Sequence, residues 1–272
     1  MLHRKVVPVA LGLCSFVAFP VSSFAEARRL GAEQAVSVTP VRQRNPAAAL
    51  RQDGSGWVVW ENLSQGLVGR RLSRAGEPVG DELLLVANRN LDAIPAQGIV
   101  LWHKEPAIAA LSDGGFLMVW TRERVALRVD HFWEDRDILE RLVFAQFYDA
   151  NGRASSRPFR VDAGAAGWQG SPRVVLGSGW AAVAWQQAVS PAARLDQGEL
   201  RGRILDLAGG FAGDSFRLAA APSGYPVLAV DGDDVLWAAW QAPDGSGDGV
   251  FARRFRANGR PLVRTRQETA SA

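Results

Sequence analysis

The chain has 272 residues, 47% hydrophobic and 22% charged, enough apolar material to bury one sizeable core. Its formal net charge is +3, but taking away Arg4 and Lys5, which lie in a segment expected to be cleaved, leaves 29 basic residues against 28 acids. With its arginines scattered and its charge so near balance, the chain lacks the electrostatic footprint of a nucleic-acid binder.

Residues 1–25 have the pattern of a secretory signal peptide. His3, Arg4 and Lys5 open it, residues 6–19 form an apolar run, and Ser23-Phe24-Ala25 precede the expected cut. That run is short of the ~20 residues a membrane-crossing helix needs. Cys14, the only cysteine, leaves with the signal, so residues 26–272 are expected to form a single domain without disulfide or thiol chemistry. Export to the bacterial periplasm or beyond is the implied location.

The remainder repeats itself four times. Residues 46–60 (PAAALRQDGSGWVVW), 106–120 (PAIAALSDGGFLMVW), 172–185 (PRVVLGSGWAAVAW) and 226–240 (PVLAVDGDDVLWAAW) each run from a proline through an apolar strand and a Gly/Asp turn to a second apolar strand ending in tryptophan. The spacing from proline to tryptophan is 14, 14, 13 and 14 residues. A second half follows each time: LVGRRLSRAG, VFAQFYDANG, LRGRILDLAG and VFARRFRANG, each leading through a glycine turn to a last short strand. Those last strands are expected at 83–86, 159–161, 216–218 and 262–264, with the repeats at about 46–88, 106–162, 172–219 and 226–266.

Short, evenly spaced strands with turn residues between them argue an all-β fold. The second strand of each repeat is apolar on both faces, which implies burial on both faces. Four four-stranded antiparallel units at this period predict a β-propeller-like domain of four blades. A further strand-like piece, residues 34–38, precedes the first repeat. Either it and residues 262–264 compete for one slot in a closed ring, or the four blades form an open arc that pairs with another chain, a homodimer included.

The motif DGGF–apolar–Trp (Asp113, Gly114, Gly115, Phe116, Trp120), followed by residues 143–152 and 159–161, resembles tandem tryptophan repeats of secreted bacterial surface and haemolysin-like proteins. The resemblance spans residues 34–265, with a degenerate third copy. It implies export and a propeller-like or stacked-sheet form, and no specific activity.

Functional residues are expected on one face. The turns within the strand pairs 1–2 and 3–4 of each repeat are short and alike. The 2–3 loops vary, the distance from tryptophan to turn glycine being 16, 32, 24 and 19 residues. Variable loops on a rigid scaffold are where binding concentrates. The longest, residues 122–142, alternates in polarity on both arms and predicts a projecting hairpin tipped by His131, Phe132, Trp133 and Glu134. Trp102 and His103 enter the same blade on the same face. No metal-binding spacing unites His103 and His131, and they are equally readable as surface histidines. In the fourth repeat Asp244, Ser246 and Asp248 resemble half of a calcium loop without its closing acid, a pattern that Gly/Asp turns also produce. No cofactor is otherwise implied.

No nucleophile elbow or phosphate-cradling loop occurs, and the only tyrosines, Tyr148 and Tyr225, sit in a strand and before a proline. The sequence therefore points to an exported binding or scaffold module that recognises a protein or polysaccharide. A glycan-active hydrolase and a dimerising structural envelope protein are the alternatives.

Overall fold

The computed structural model describes residues 33–91, 98–127, 136–162, 168–188, 190, 194–208, 210–262 and 266–267, and the expected signal segment lies outside them. Four antiparallel sheets account for the compact unit Ala35–Ala272, each coinciding with one sequence repeat. Sheet 1 runs β1 (Gln43–Leu50), β2 (Gly56–Asn62), β3 (Gly66–Leu72), β4 (Pro78–Ala87). Sheet 2 runs β5 (Arg89–Asn90), β6 (Gly98–Ala110), β7 (Phe116–Leu127), β8 (Arg136–Tyr148), β9 (Phe159–Arg160). Sheet 3 runs β10 (Trp168–Leu176), β11 (Trp180–Ala188), β12 (Glu199–Asp206), with β13 (Gly210–Phe211) and β14 (Phe216–Ala219) both paired to β12. Sheet 4 runs β15 (Gly224–Val230), β16 (Leu236–Pro243), β17 (Asp248–Phe255), β18 (Arg266–Gln267). The fold is the all-β, propeller-like stack that the repeats predict.

The double-sided apolar second strands explain the stacking. On β7, Phe116, Met118 and Trp120 face sheet 1, where they meet Trp57 and Val59, while Leu117 and Val119 face sheet 3 and meet Val183 and Trp185. Trp240 likewise faces sheet 3. The repeat tryptophans of sheets 2 to 4 thus each point at the preceding sheet, and all three are buried. The turn glycines complete the fit. A Cβ on Gly152 (φ +75°) would stand 2.7 Å from Trp57 Cη2, so turn conformation and sheet-to-sheet packing both require glycine there.

Among the described residues no sheet precedes the one that carries Trp60. The segment ahead of β1 crosses that outer face instead. Arg70 Nη1 donates to the Val36 carbonyl at 2.8 Å, and the Val38 and Thr39 amides donate to the Glu82 carboxylate. This corrects one expectation. Residues 34–38 form no strand and do not reach sheet 4; a backbone tied down by side-chain partners on sheet 1 is not available as a ladder strand. The described part of the fourth strand of sheet 4 is Arg266–Gln267, paired with Phe251 and Ala252. Of the expected strand at 262–264, the Leu262 amide donates to the Arg254 carbonyl at 2.9 Å beside an antiparallel bridge between Phe255 and Pro261, and residues 263 and 264 lie outside the described residues.

At the other end of the stack, Trp237 occupies the repeat position of Trp57. Trp57 is 4% exposed and Trp237 39%, because among the described residues no further sheet packs on sheet 4. Tyr225, Val227 and Val250 share that exposure. Three cores join consecutive sheets, and among the described residues none joins sheet 4 back to sheet 1.

The long insertion of the second repeat is a hairpin in its described arms, with Val125 opposite Ile138 and Leu127 opposite Arg136. It is not a free two-stranded arm. The first part of β6, from Gly98 to Lys104, pairs with Thr121–Leu127, making a three-stranded wall in which Val125 is fully buried. Deleting its base would therefore strip a ladder and a core residue.

Truncating Trp185 to alanine should lower unfolding free energy by about 3–5 kcal/mol in urea melts, as loss of a large buried aromatic does. A change below about 1 kcal/mol would contradict its placement at the sheet 2–sheet 3 core.

Candidate functional site

A feature shared by all four repeats organises the site. Asn45 (φ 50°), Glu105 (φ 52°), Ser171 (φ 51°) and Tyr225 (φ 55°) are left-handed, and each immediately precedes the repeat proline. Each coincides with a break in register between the first and second strands of its sheet. Proline excludes the right-handed helical region for the residue before it, and a non-glycine residue at positive φ costs about 1–3 kcal/mol. The bulge rotates backbone amides out of the ladder, where they need other acceptors.

Carboxylates from neighbouring strands supply them. Glu61 follows Trp60 on β2, and its Oε1 accepts from the Glu105 amide at 2.6 Å and from Asn45 Nδ2 at 2.6 Å. Its Oε2 accepts from Arg44 Nε at 2.7 Å. Glu105 repeats the device one sheet on: Oε2 accepts from the Ser171 amide at 2.7 Å and from Thr121 Oγ1 at 2.8 Å. Sheet 1 is thus latched to sheet 2, and sheet 2 to sheet 3, by charge-assisted bonds. Arg141 ties the network together, Nη2 lying 3.6 Å from Glu105 and Nε 3.0 Å from Glu123, whose other oxygen is 2.5 Å from Lys104 Nζ. Glu61 and Glu123 are almost wholly buried, which such charges tolerate only when paired. A hollow of about 420 Å³ opens over the kinks, lined by Asn45, Glu105, Ser171 and Arg173.

Beside this network a cleft of about 330 Å³ separates sheets 1 and 2. Sheet 1 contributes Arg42, Arg44, Glu61 and Asn62; sheet 2 contributes Trp102, His103 and Lys104. All come from second-to-third-strand turns or from first-strand entries, so the cleft lies on the variable-loop face that the sequence singles out. Lys104 Nζ stands 5.0 Å from the Trp102 ring centroid. Asn62 builds the β2–β3 turn, Oδ1 accepting from the Ser64 amide at 3.1 Å and hydroxyl at 2.8 Å. Its Nδ2 is buried in the cleft wall with no partner.

His103 lies at the back. Its Nδ1 accepts from Trp120 Nε1 at 2.8 Å, which places its own proton on Nε2. Burial, with the Arg122 and Arg89 charges adding to it, lowers its pKa to about 4. It is a neutral packing and hydrogen-bonding residue here, with Nδ1 already committed.

Of the sequence candidates, Trp102 and His103 are brought to the cleft, whereas His131, Phe132, Trp133 and Glu134 lie outside the described residues. Asp244 turns its Oδ1 onto Ser246 and Gly247, and Asp248 accepts from Gln241, so both carboxylates serve their own turn. Glu61, Asn62, Arg42 and Arg44 escape sequence reading. The available signal is that every repeat tryptophan is followed by a polar residue: Glu61, Thr121, Gln186 and Gln241.

Neither protein-family models nor curated proteins match the sequence. Solved structures similar in shape include an α-L-arabinofuranosidase from Podospora anserina (12% identity, 80% of this chain and 66% of that one, TM-score 0.46). Others are the GH43B protein of a Bacteroides ovatus xyloglucan PUL (13%, 84% and 41%, 0.48) and a puromycin hydrolase (18%, 83% and 32%, 0.46). This chain spans less than two thirds of the length of each.

Two outcomes follow from the site. Glu105→Ala should cost about 1–3 kcal/mol by orphaning the Ser171 amide and the Thr121 hydroxyl, measured by denaturant titration, and an unchanged midpoint would break the latch assignment. His103 titrates near 6.5 when unfolded and about 4 when folded. The unfolded chain therefore takes the proton first, so stability is full above pH 6.5 and declines as pH falls towards 4, by at most roughly 3 kcal/mol. His103→Gln, which keeps an acceptor for Trp120 without titrating, should flatten that decline; an equally steep loss would assign it elsewhere.

Proposed function

We propose that this chain is an exported glycan-binding module whose ligand seats in the cleft between sheets 1 and 2. The observation that carries the proposal is the composition of that cleft: an aromatic face from Trp102, a buried amide donor left open by Asn62, and fixed charged groups on either side. Sugar rings present an apolar face and a rim of hydroxyls, so they suit an aromatic platform surrounded by preset polar groups. The expected signal peptide, and the likeness of the repeats to those of secreted bacterial surface and haemolysin-like proteins, support an exported setting, periplasmic or extracellular.

Glycan hydrolysis is the second reading, favoured by one observation. Glu61, Glu105 and Glu123 gather at one sheet junction, and Glu105, whose side chain is 27% exposed, opens to the hollow over the kinks. Paired carboxylates are the usual equipment of glycosidases. It is also the activity that the names of the arabinofuranosidase-type neighbours suggest, although shape likeness at this level assigns no residue.

Calorimetry against a panel of arabinan, arabinoxylan, xyloglucan and uronate-bearing oligosaccharides separates the readings. Saturable binding without release of reducing sugar is expected, with Trp102→Ala weakening it at least about tenfold, as loss of a buried aromatic anchor does. Unaltered binding by Trp102→Ala would remove the cleft from consideration. Sugar release abolished by Glu105→Gln would establish hydrolysis instead.

A further inference from the structure

We infer that the cleft selects acidic sugars, holding the carboxylate of a uronic acid residue against Arg42 while the ring lies on Trp102. This rests on the glycan-binding reading and adds the ligand's charge to it. Three observations carry the inference.

The first is the charge of the lining. Arg42, Arg44 and Lys104 face a single lining carboxylate, Glu61, and His103 is neutral, so cations outnumber anions. A concave, partly desolvated surface of one sign concentrates ligands of the other.

The second is the division of labour among the cations. Arg44 is committed to Glu61 at 2.7 Å and Lys104 to Glu123 at 2.5 Å. Arg42 stands at the mouth and has no acidic partner among the described residues. A guanidinium presents a planar fork that matches a carboxylate with two parallel bonds. A uronate carboxylate supplies that shape, and a neutral hexose has nothing equivalent.

The third is Asn62. The residue is 1% exposed and spends its oxygen on the β2–β3 turn, yet its amide donor, in the wall of the same cleft, has no partner. Leaving a buried donor unpaired costs stability, and native proteins keep few such groups. A ring or hydroxyl oxygen of the seated sugar would satisfy it. Asn62 would thus register the ring, and Arg42 would read its acid.

The test is a matched pair: a glucuronic-acid-bearing xylo-oligosaccharide and the same oligosaccharide with its carboxyl reduced to the alcohol. Titrated calorimetrically at low and high sodium chloride, the acidic form should bind at least about tenfold more tightly at low salt, the gap narrowing as salt screens it. Arg42→Ala should erase the gap between the two forms, whereas Asn62→Ala should weaken both alike and keep the gap. Equal affinity for the two forms would overturn acid selection and leave glycan binding standing. A sulfated oligosaccharide binding more tightly than the uronate would overturn the carboxylate assignment. No binding of either form to the folded protein would overturn both this inference and the reading beneath it.

Discussion

The bond from a buried carboxylate to the amide of a left-handed residue in the next sheet is the constraint on which the rest depends. A proline at the same place in every repeat leaves the residue before it few conformations, and in all four copies the chain takes the left-handed one. The resulting bulge breaks the first ladder of each sheet and frees amides that a sheet would otherwise satisfy. Glu61 and Glu105 take the freed amides of Glu105 and Ser171, so a local backbone strain becomes a contact between sheets. The apolar cores are non-directional and would allow sheets to slide. The carboxylates fix where one sheet stands against the next.

The same bonds set the chemistry of the exposed face. Glu61 is held in place by Asn45, Arg44 and the Glu105 amide, and this draws Arg44 and the start of β1 over the entry to β6, where Trp102 and Lys104 lie. The cleft lies between sheets 1 and 2 beside the latch. Its walls are preorganised, which reduces the ordering cost of binding a small polar ligand. Burying Glu61 and Glu123 costs solvation that the paired cations offset, and buried pairs of this kind are better read as fixing geometry than as adding stability.

The scaffold was legible in the sequence because packing leaves a periodic record. Trp120, Trp185 and Trp240 recur 13 or 14 residues after the repeat proline, and their burial against the preceding sheet follows from strands that are apolar on both faces. The variable-loop face was legible too, from loop lengths alone, and Trp102 and His103 line the cleft found there. Other parts left no such trace. Residues 34–38 look like a strand by composition, but side-chain partners on Arg70 and Glu82 decide their fate, and those bonds span some 34 to 44 positions. The base of the long insertion read as a free hairpin because its third strand, the beginning of β6, arrives from a separate connection. Glu61 and Asn62 looked like ordinary polar residues after a core tryptophan. Only the three-dimensional juxtaposition with Glu105 and the entry to β6 gives them their roles.

Hydrogen exchange at the Glu105 and Ser171 amides tests the central claim most directly. If carboxylates of the neighbouring strands hold these amides, both should exchange as slowly as the core amides of β7. Glu61→Ala should then release the Glu105 amide while leaving β7 protected. Exchange of both amides at the rate of exposed turn residues in the unaltered protein would contradict the account, because the sheets would then be held by their apolar cores alone.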